Sequence, residues 1–351
     1  MALLSLEAIR DGIRTDPSLY LQNLDLAREA ILVLLLEEGA FRTASFLDDR
    51  ILSTQSQGRW VKFAEMETML AAANPVRPLH FIFHTGHVGS TLVSRLLDDI
   101  GGVLGLREPL PLRVLASAYA ERDAPHGLLG ATTWRRLLDI QLACWSRGYA
   151  DTRSVVVKAT SSAGQCCQPI LEASPSSRAL FLNLLPEPYL ATLLAGENSY
   201  IDVRGQAQER MKRLLQIAPA QAKPLHALSL GEIVAMTWTI ETLTHRAAER
   251  RFGDRIMRVD FDAFLTDPSE TLGEICGHFS LGAPEASFQN VSRSPTLTRY
   301  SKAPEHAYTP ELRGQILSAS RTQNVAEIRK GMVWIDAFAR QWPEHAEALS
   351  A

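Results

Sequence analysis

Short apolar runs alternate with helical patterns over most of the chain after residue 78. The runs are rich in β-branched or aromatic residues and are bounded by Pro, Gly or charged residues, as buried parallel strands are. They are Leu79–Phe83, Val103–Leu106, Ser154–Ser161, Arg178–Leu185 and Arg255–Phe261. Helical spacing of apolar residues fills the segments between them. The pattern predicts an α/β protein built on one doubly wound, mostly parallel five-stranded sheet.

The first 75 residues show helical periodicity with short polar breaks, which predicts a helical N-terminal appendage. Its clearest helix spans Leu24–Glu38, with Gly39 as its stop. We expect the appendage to cap the sheet. A surface for recruiting substrate or for forming a homodimer stays open, because helical appendages often serve as interfaces. The predicted domains are therefore the appendage, residues 1–75, and an α/β domain, residues 76–351.

The turn after the first predicted strand has the features of a phosphate-binding loop. Gly86 and Gly89 lack Cβ, so the backbone can wrap closely around an anion. Ser90 and Thr91 fall in the first turn of an amphipathic helix, where backbone N–H groups have no intrahelical partner. A Walker A loop has Lys directly before the Ser/Thr, where this chain has Gly89. The pattern indicates phosphate binding without efficient ATP hydrolysis; an ordinary βα turn is the alternative.

The segment 83–92, Phe-His-Thr-Gly-His-Val-Gly-Ser-Thr-Leu, resembles the 5′-phosphosulfate loop of the P-loop sulfotransferase superfamily. The resemblance implies a P-loop NTPase-like fold and 3′-phosphoadenosine-5′-phosphosulfate (PAPS) as sulfuryl donor, bound without a metal ion. It places the donor on Gly86, His87, Val88, Gly89, Ser90 and Thr91. Relatives usually have Lys or Arg where this chain has His87, which is cationic only part of the time near pH 7.

Glu108 follows the second predicted strand, at the sheet edge where open α/β folds bind their ligands. In sulfotransferases similar to this chain, a Glu in an equivalent segment is the general base, which implies that Glu108 takes the proton of an acceptor hydroxyl. The alternative is that Glu108 caps the next helix or pairs with Arg107 or Arg113.

Lys158 ends the third predicted strand, at the same edge of the sheet. Similar sulfotransferases have a Lys or Arg there that reaches the transferring group. The resemblance implies that Lys158, together with His87, stabilises the charge that develops on the leaving phosphate. The alternative is a Lys whose ammonium extends from the strand end into solvent.

The resemblance breaks down after the fourth predicted strand. Many members have an Arg at this strand end and a Ser further along the next helix, which grip the donor's 3′-phosphate, whereas this chain has Pro186 and Leu194. Candidate replacements are Ser199, Arg204, Arg210 and the basic loop 299–304. In that loop, where sulfotransferases close over the donor, Tyr300 is expected to stack on adenine and Lys302 to bind the 3′-phosphate.

The amino-acid composition limits the classes of binding partner and the cellular locations that we expect for this protein. The net charge of −3 gives no reason to expect nucleic acid or an acidic membrane as a partner. The apolar run Ile31–Leu36 is far shorter than the ~20 residues that a membrane helix needs. The four cysteines show no metal-binding spacing. We expect a cytoplasmic protein without a bound metal.

The resemblance implies a PAPS-dependent sulfotransferase that acts on a hydroxyl, or an amine, of a small-molecule acceptor, with Glu108 as the base. One alternative is a magnesium-dependent nucleotide kinase or hydrolase on the same fold, which needs a Walker-type Lys and an Asp at a strand end. Another is a nucleotide-binding protein that has lost catalysis, as His87 and the missing 3′-phosphate Arg would allow.

Overall fold

A computed structural model describes residues 2–71, 75–122, 124–219, 223–282, 288, 291, 294–303 and 305–350. Its strands are β1 (Ala2–Leu3), β2 (Leu19–Asp25), β3 (Ala30–Leu35), β4 (Gln57–Lys62), β5 (Leu79–His84), β6 (Val103–Arg107), β7 (Ser154–Lys158), β8 (Ala179–Asn183) and β9 (Ile256–Asp260). Its α-helices are α1 (Leu6–Gly12), α2 (Glu38–Thr43), α3 (Phe63–Leu70), α4 (Ser90–Asp99), α5 (Leu110–Tyr119), α6 (Ala131–Trp145), α7 (Cys167–Ala173), α8 (Pro186–Leu194), α9 (Glu197–Gly205), α10 (Ala207–Ile217), α11 (Leu230–Phe252), α12 (Phe261–Thr266), α13 (Pro268–His278), α14 (Pro310–Gln323), α15 (Val325–Gln341) and α16 (Pro343–Leu349).

The central sheet contains β5 to β9, all parallel, in the order β6-β7-β5-β8-β9. Every residue of β5, the middle strand, is buried. Phe81 and Phe83 enter the apolar cluster on one face of the sheet, and Ile82 enters the cluster on the other. A strand that is covered on both faces has a continuous run of apolar residues, and for this reason the sequence pattern predicts β5. The predicted α/β fold with a five-stranded parallel sheet is confirmed.

The prediction that the first 75 residues are helical is wrong. Their described part contains a second sheet, in the order β1-β4-β3-β2, together with three short α-helices and one short 3-10 helix. The predicted helix Leu24–Glu38 is in fact most of a hairpin, in which β2 and β3 pair antiparallel and Glu29 turns with a φ of 51°. A short apolar run fits a buried strand and a buried helix equally well by periodicity. Here β3 pairs with β2 on one side and β4 on the other, so backbone pairing decides the structure.

The N-terminal sheet is joined to the central sheet by apolar packing and by one buried arginine. Residues of both sheets belong to a single apolar cluster. Arg107, at the end of β6, pairs with Asp98 and donates to the carbonyls of residues 41, 42 and 44 at 2.9, 2.7 and 2.7 Å. These bonds hold the C-terminal end of α2 and the residue after it beside the central sheet. The domain boundary at residues 75–76 stays a prediction, and residues 72–74 next to it lie outside the described residues.

Helix α11 begins with two reciprocal hydrogen bonds between its first residues. The Ser229 hydroxyl accepts from the Glu232 N–H at 3.3 Å, and the Glu232 carboxylate accepts from the Ser229 N–H at 2.8 Å, which completes a capping box.

Over the described ranges, no helix combines the length and the apolar character needed to cross a membrane.

Candidate functional site

The carboxyl ends of β5, β6 and β7 meet at one edge of the central sheet. The register pairs Lys158 of β7 with Arg107 on one side and with Ile82 on the other. Glu108 comes directly after Arg107, and its N–H donates to the Lys158 carbonyl at 2.7 Å. The sheet therefore brings Glu108 and Lys158 together beside the loop that follows β5.

Glu108 and Lys158 form an ion pair between Oε1 and Nζ. The Lys158 side chain is fully buried, so it does not extend into solvent, whereas that of Glu108 is 19% exposed. Burial lowers the pKa of Lys158, and the carboxylate of Glu108 opposes this by favouring the ammonium. Glu108 also has a φ of 51°, in the left-handed region that is uncommon for a residue with a side chain. Such conformations cluster at functional sites, where the surrounding structure holds them.

The loop after β5 presents backbone amides at the start of α4. Gly86, His87 and Gly89 have φ values of 102°, 55° and 72°, which turn the chain sharply. Within the described residues, no protein acceptor meets the N–H groups of residues 87–91. The hydroxyl of Thr91 is likewise buried without a partner in this part of the structure. Together with the positive end of the helix dipole, these donors are available to an anion.

The N–H of Gly86, in contrast, is already engaged. It donates to Nδ1 of His84 at 3.1 Å, and Nε2 of His84 lies 2.9 Å from the Ala159 carbonyl. Burial lowers the pKa of His84 well below its ordinary value, so the ring is neutral and its Nδ1 can accept. The Tyr189 hydroxyl donates to the Thr85 carbonyl at 2.8 Å. Gly86 thus shapes the loop, while its amide is held by the protein.

His87 supplies little positive charge to the loop. Its Nε2 lies 3.2 Å from Oδ2 of Asp202, at the site's outer side. Burial lowers the pKa of His87, and the hydrogen bond to Asp202 opposes that change. Because the ordinary value is 6.5, a lowered pKa leaves the imidazole mostly neutral at pH 7. Positive charge must therefore come from lysines and arginines nearby.

Lys302 provides such a charge beside the Glu108–Lys158 pair. Its Nζ lies 5.9 Å from the centroid of the Phe46 ring, and so does the Nζ of Lys158. The charge of Lys302 contributes to the lowered pKa of both Lys158 and His87. Lys302 is thus close to the sheet edge.

A cavity of about 330 Å³ extends from the loop toward the C-terminal part of the chain. This volume is in the range of small-ligand pockets. Among the predicted site residues, its walls include His87, Val88, Gly89, Ser90, Thr91, Ser199, Tyr300 and Lys302. The cationic side chains in the walls are Arg299, Lys302 and Arg313. The loop and the segment 299–302 therefore face one space.

Other predicted residues lie outside the cavity walls. Glu108 and Lys158 are beside the cavity rather than among its lining residues. Arg204 is exposed on α9, with its guanidinium 5.9 Å from the Tyr200 ring. Arg210 is buried and donates to Glu241 and Ser161 at 3.1 and 3.0 Å. The structure does not bring Arg204 or Arg210 to the cavity.

Sequence reasoning missed Arg95, which joins three segments around the site. Its Nε donates to the Ser301 carbonyl at 2.8 Å, and its Nη2 donates to the Ser45 hydroxyl at 2.8 Å and to the Thr43 carbonyl at 3.3 Å. These bonds position both Phe46 and Lys302. Arg95 follows Thr91 by one helical turn, so it projects from the same side of α4, which is the one local clue to its role.

We expect Arg95→Met to loosen the segment 299–303. A hydrogen bond from a charged group contributes about 1.5–3 kcal/mol, so amide hydrogen exchange in this segment should be roughly tenfold faster or more. Exchange measured by mass spectrometry checks this. The control is Arg135→Met, which removes an exposed pair with Asp139 on α6. Unchanged exchange in the Arg95 variant would show that other contacts hold the segment.

No family model matches the chain, and no curated protein matches it either. Several solved structures that align with the chain are sulfotransferases. A sulfotransferase from Mycobacterium avium is 13% identical, with a TM-score of 0.39, over 89% of this chain and 97% of that one. The sulfotransferase domain of the curacin biosynthetic pathway is 12% identical, with a TM-score of 0.37, over 71% and 98%. The sulfotransferase domain of a Synechococcus olefin synthase is 17% identical, with a TM-score of 0.36, over 70% and 94%. Because these TM-scores are below 0.5, we base both the fold and the function on the chain's own residues.

Proposed function

We propose that the protein is a sulfotransferase that moves a sulfuryl group from PAPS to a hydroxyl, or an amine, of a small-molecule acceptor. The main support is the position of the open amides of residues 87–91 at the same sheet edge as the buried Lys158–Glu108 pair. A Walker-type enzyme would have Lys in place of Gly89, to hold the β- and γ-phosphates. In this protein the nearby cations are instead Lys158, at the end of β7, and Lys302. We expect them to lie beside the group that is attached to the phosphate bound by the loop.

The residues around the cavity fit an anionic nucleotide such as PAPS. The open amides and the hydroxyl of Thr91 offer donors to a phosphosulfate. Tyr300, whose ring centroid lies 5.6 Å from that of Tyr308, offers an aromatic surface for a base. Lys302 is suited to the sulfuryl end, because its Nζ and that of Lys158 each lie 5.9 Å from the centroid of the Phe46 ring. His87, being mostly neutral, serves as a hydrogen-bonding group.

The two charged side chains at the sheet edge have complementary tasks. When bound, PAPS supplies the sulfuryl group and departs as adenosine 3′,5′-bisphosphate. Glu108 takes the proton of the acceptor hydroxyl, whose oxygen forms the new bond to sulfur. Lys158 donates a hydrogen bond to the phosphate oxygen that gains charge as its bond to sulfur breaks. Their ion pair holds both groups in place before the reaction begins.

Calorimetric titration of the whole chain tests the donor. We expect adenosine 3′,5′-bisphosphate to bind equally well in EDTA and in magnesium, because the loop offers amides rather than metal-held oxygens. ATP with magnesium should bind more weakly. Labelled PAPS mixed with a panel of hydroxyl acceptors should then yield a labelled product.

Two results would contradict the proposal. ATP binding that requires magnesium, without affinity for the bisphosphate, would favour a kinase or hydrolase. Tight binding of the bisphosphate with no transfer to any acceptor would favour a nucleotide-binding protein that lacks catalysis.

A further inference from the structure

We infer that His87 and Asp202 form a proton-linked pair, in which the imidazole of His87 takes up a proton when an anion binds to the loop. The loop thereby gains the positive charge that it lacks in the free protein. This inference rests on the proposed function and deepens it, because the anion is the phosphosulfate of the donor. A Lys or Arg at this position would be charged at any pH near neutrality, whereas His87 acquires its charge together with the ligand.

The two ring nitrogens of His87 have different surroundings. Nε2 lies 3.2 Å from Oδ2 of Asp202, on α9. Nδ1 has no partner among the residues that the structure describes. The side chain is only 17% exposed and belongs to the cavity wall, in the same loop as the open amides of residues 87–91. One nitrogen is therefore held by a carboxylate, and the other is left for a ligand in the cavity.

An imidazole ring between two anions needs a proton on each nitrogen. In the neutral ring one nitrogen donates and the other accepts. A proton on Nε2 serves Asp202 but turns the lone pair of Nδ1 toward an anionic ligand. A proton on Nδ1 serves the ligand but turns the lone pair of Nε2 toward the carboxylate. The imidazolium donates to both sides, so binding of an anion favours the charged form of His87.

The charged groups around the ring make its protonation depend on the ligand. Burial lowers the pKa of His87 in the free protein, and Lys302 acts in the same direction, while Asp202 and Glu108 oppose them. The hydrogen bond with His87 lowers the pKa of Asp202, and the charges of Arg210 and Lys302 add to this effect, so Asp202 stays a carboxylate. A bound phosphosulfate brings negative charge that offsets Lys302 and raises the pKa of His87.

Calorimetry with adenosine 3′,5′-bisphosphate tests the inference. Titrations at about pH 7.5, in two buffers that differ in ionisation enthalpy, give the number of protons taken up per nucleotide. The phosphates themselves are almost fully ionised there, since their second pKa is about 6. We expect wild type to take up roughly half a proton or more, and its affinity to fall about three- to tenfold from pH 7 to pH 8. The fall has this direction because the charge on His87 is lost as the pH rises.

Two variants of the pair separate the proton from other effects. His87→Lys carries a permanent charge, so it should bind the nucleotide without proton uptake and with less than about a twofold change over the same pH range. In Asp202→Asn the amide can donate to Nε2 of a neutral ring whose Nδ1–H meets the ligand, so uptake should largely disappear. His87→Gln, which is neutral, should bind more weakly without uptake and serves if the Lys variant does not fold.

The matched control is His306→Lys. His306 also lies near a carboxylate, that of Glu305 at 3.8 Å, but its side chain is 73% exposed and outside the cavity walls. This variant should keep the proton uptake and the pH dependence of wild type.

The outcomes separate the inference from the proposed function. Binding by wild type without proton uptake would overturn the inference and leave the proposed function intact. Uptake that persists in His87→Lys would also overturn it, because another group would then be the one that is protonated. Full uptake in Asp202→Asn would overturn the assignment to the pair. If wild type does not bind the bisphosphate at any pH, the proposed function fails together with the inference.

Discussion

Replacement of Lys158 by Met is expected to lower the rate of sulfuryl transfer by about 10²–10³-fold, the usual effect of removing one preorganised donor to a developing negative charge. The ammonium is fully buried and is held by Glu108, so no water molecule can easily replace it. Binding of adenosine 3′,5′-bisphosphate should change much less, because the amides of residues 87–91 remain. Turnover of labelled PAPS and calorimetry on the same preparation separate the two effects.

Two further variants show whether the effect is specific to the site. Glu108→Gln keeps the shape of its partner but removes the base, so it should also reduce transfer by about 10²–10⁴-fold. Lys212→Met removes a lysine whose pair with Glu121 is on the surface, both side chains being 42% exposed, and it should leave transfer unchanged. Full activity in either the Lys158 or the Glu108 variant would remove that residue from the mechanism.

The substitution Gly89→Ala is expected to destabilise the fold and to abolish nucleotide binding. The φ of 72° is strained for any L-residue, and the new Cβ would lie 1.9 and 2.1 Å from two atoms of the Phe261 ring. The left-handed backbone costs about 1–2 kcal/mol, and overpacking costs about 1–3 kcal/mol more. To avoid this clash, either Phe261 or the loop would have to move. Movement of the loop would displace the amides of residues 87–91 from the phosphate that we expect them to bind. Urea unfolding and calorimetry with the bisphosphate measure both losses.

Gly101→Ala is the matched control for Gly89→Ala. Gly101 has a φ of 80°, and nothing lies within 4 Å of an added Cβ, so this variant reports backbone strain alone. The double variant Gly89→Ala/Phe261→Ala should recover part of the lost stability if the clash with the ring is the cause. An equal loss of stability in the two single variants would show that the ring contact contributes nothing.

The central sheet and the loop were predictable because their determinants are local in sequence. β5 and β7 are continuous apolar runs, and the loop is marked by Gly86, Gly89 and the polar start of α4. Parallel strands place their carboxyl ends at one edge, so Glu108 and Lys158 were expected near each other before any contact was known. Their direct ion pair and the full burial of Lys158 required the structure.

The failures come from contacts between distant parts of the chain. The apolar run in β3 fits helix or strand until its neighbours β2 and β4 are known. The position of Lys302 depends on Arg95, which is 206 residues from Ser301 in sequence. Phe46 comes from the N-terminal region, and no local pattern marks it as a neighbour of the sheet edge. Spacing along a sequence carries no information on such contacts.

The bonds from Arg107 to the carbonyls of residues 41, 42 and 44 bear on how the chain could be divided for experiments. A fragment starting at residue 76 would keep every side chain that we expect to touch the nucleotide. In such a fragment the Arg107 guanidinium would lose its three carbonyl partners and keep its pair with Asp98. One side of the central sheet would also lose its apolar cover. The minimal unit for expression, domain exchange or immobilisation therefore includes the first 75 residues, although the reacting groups lie beyond them.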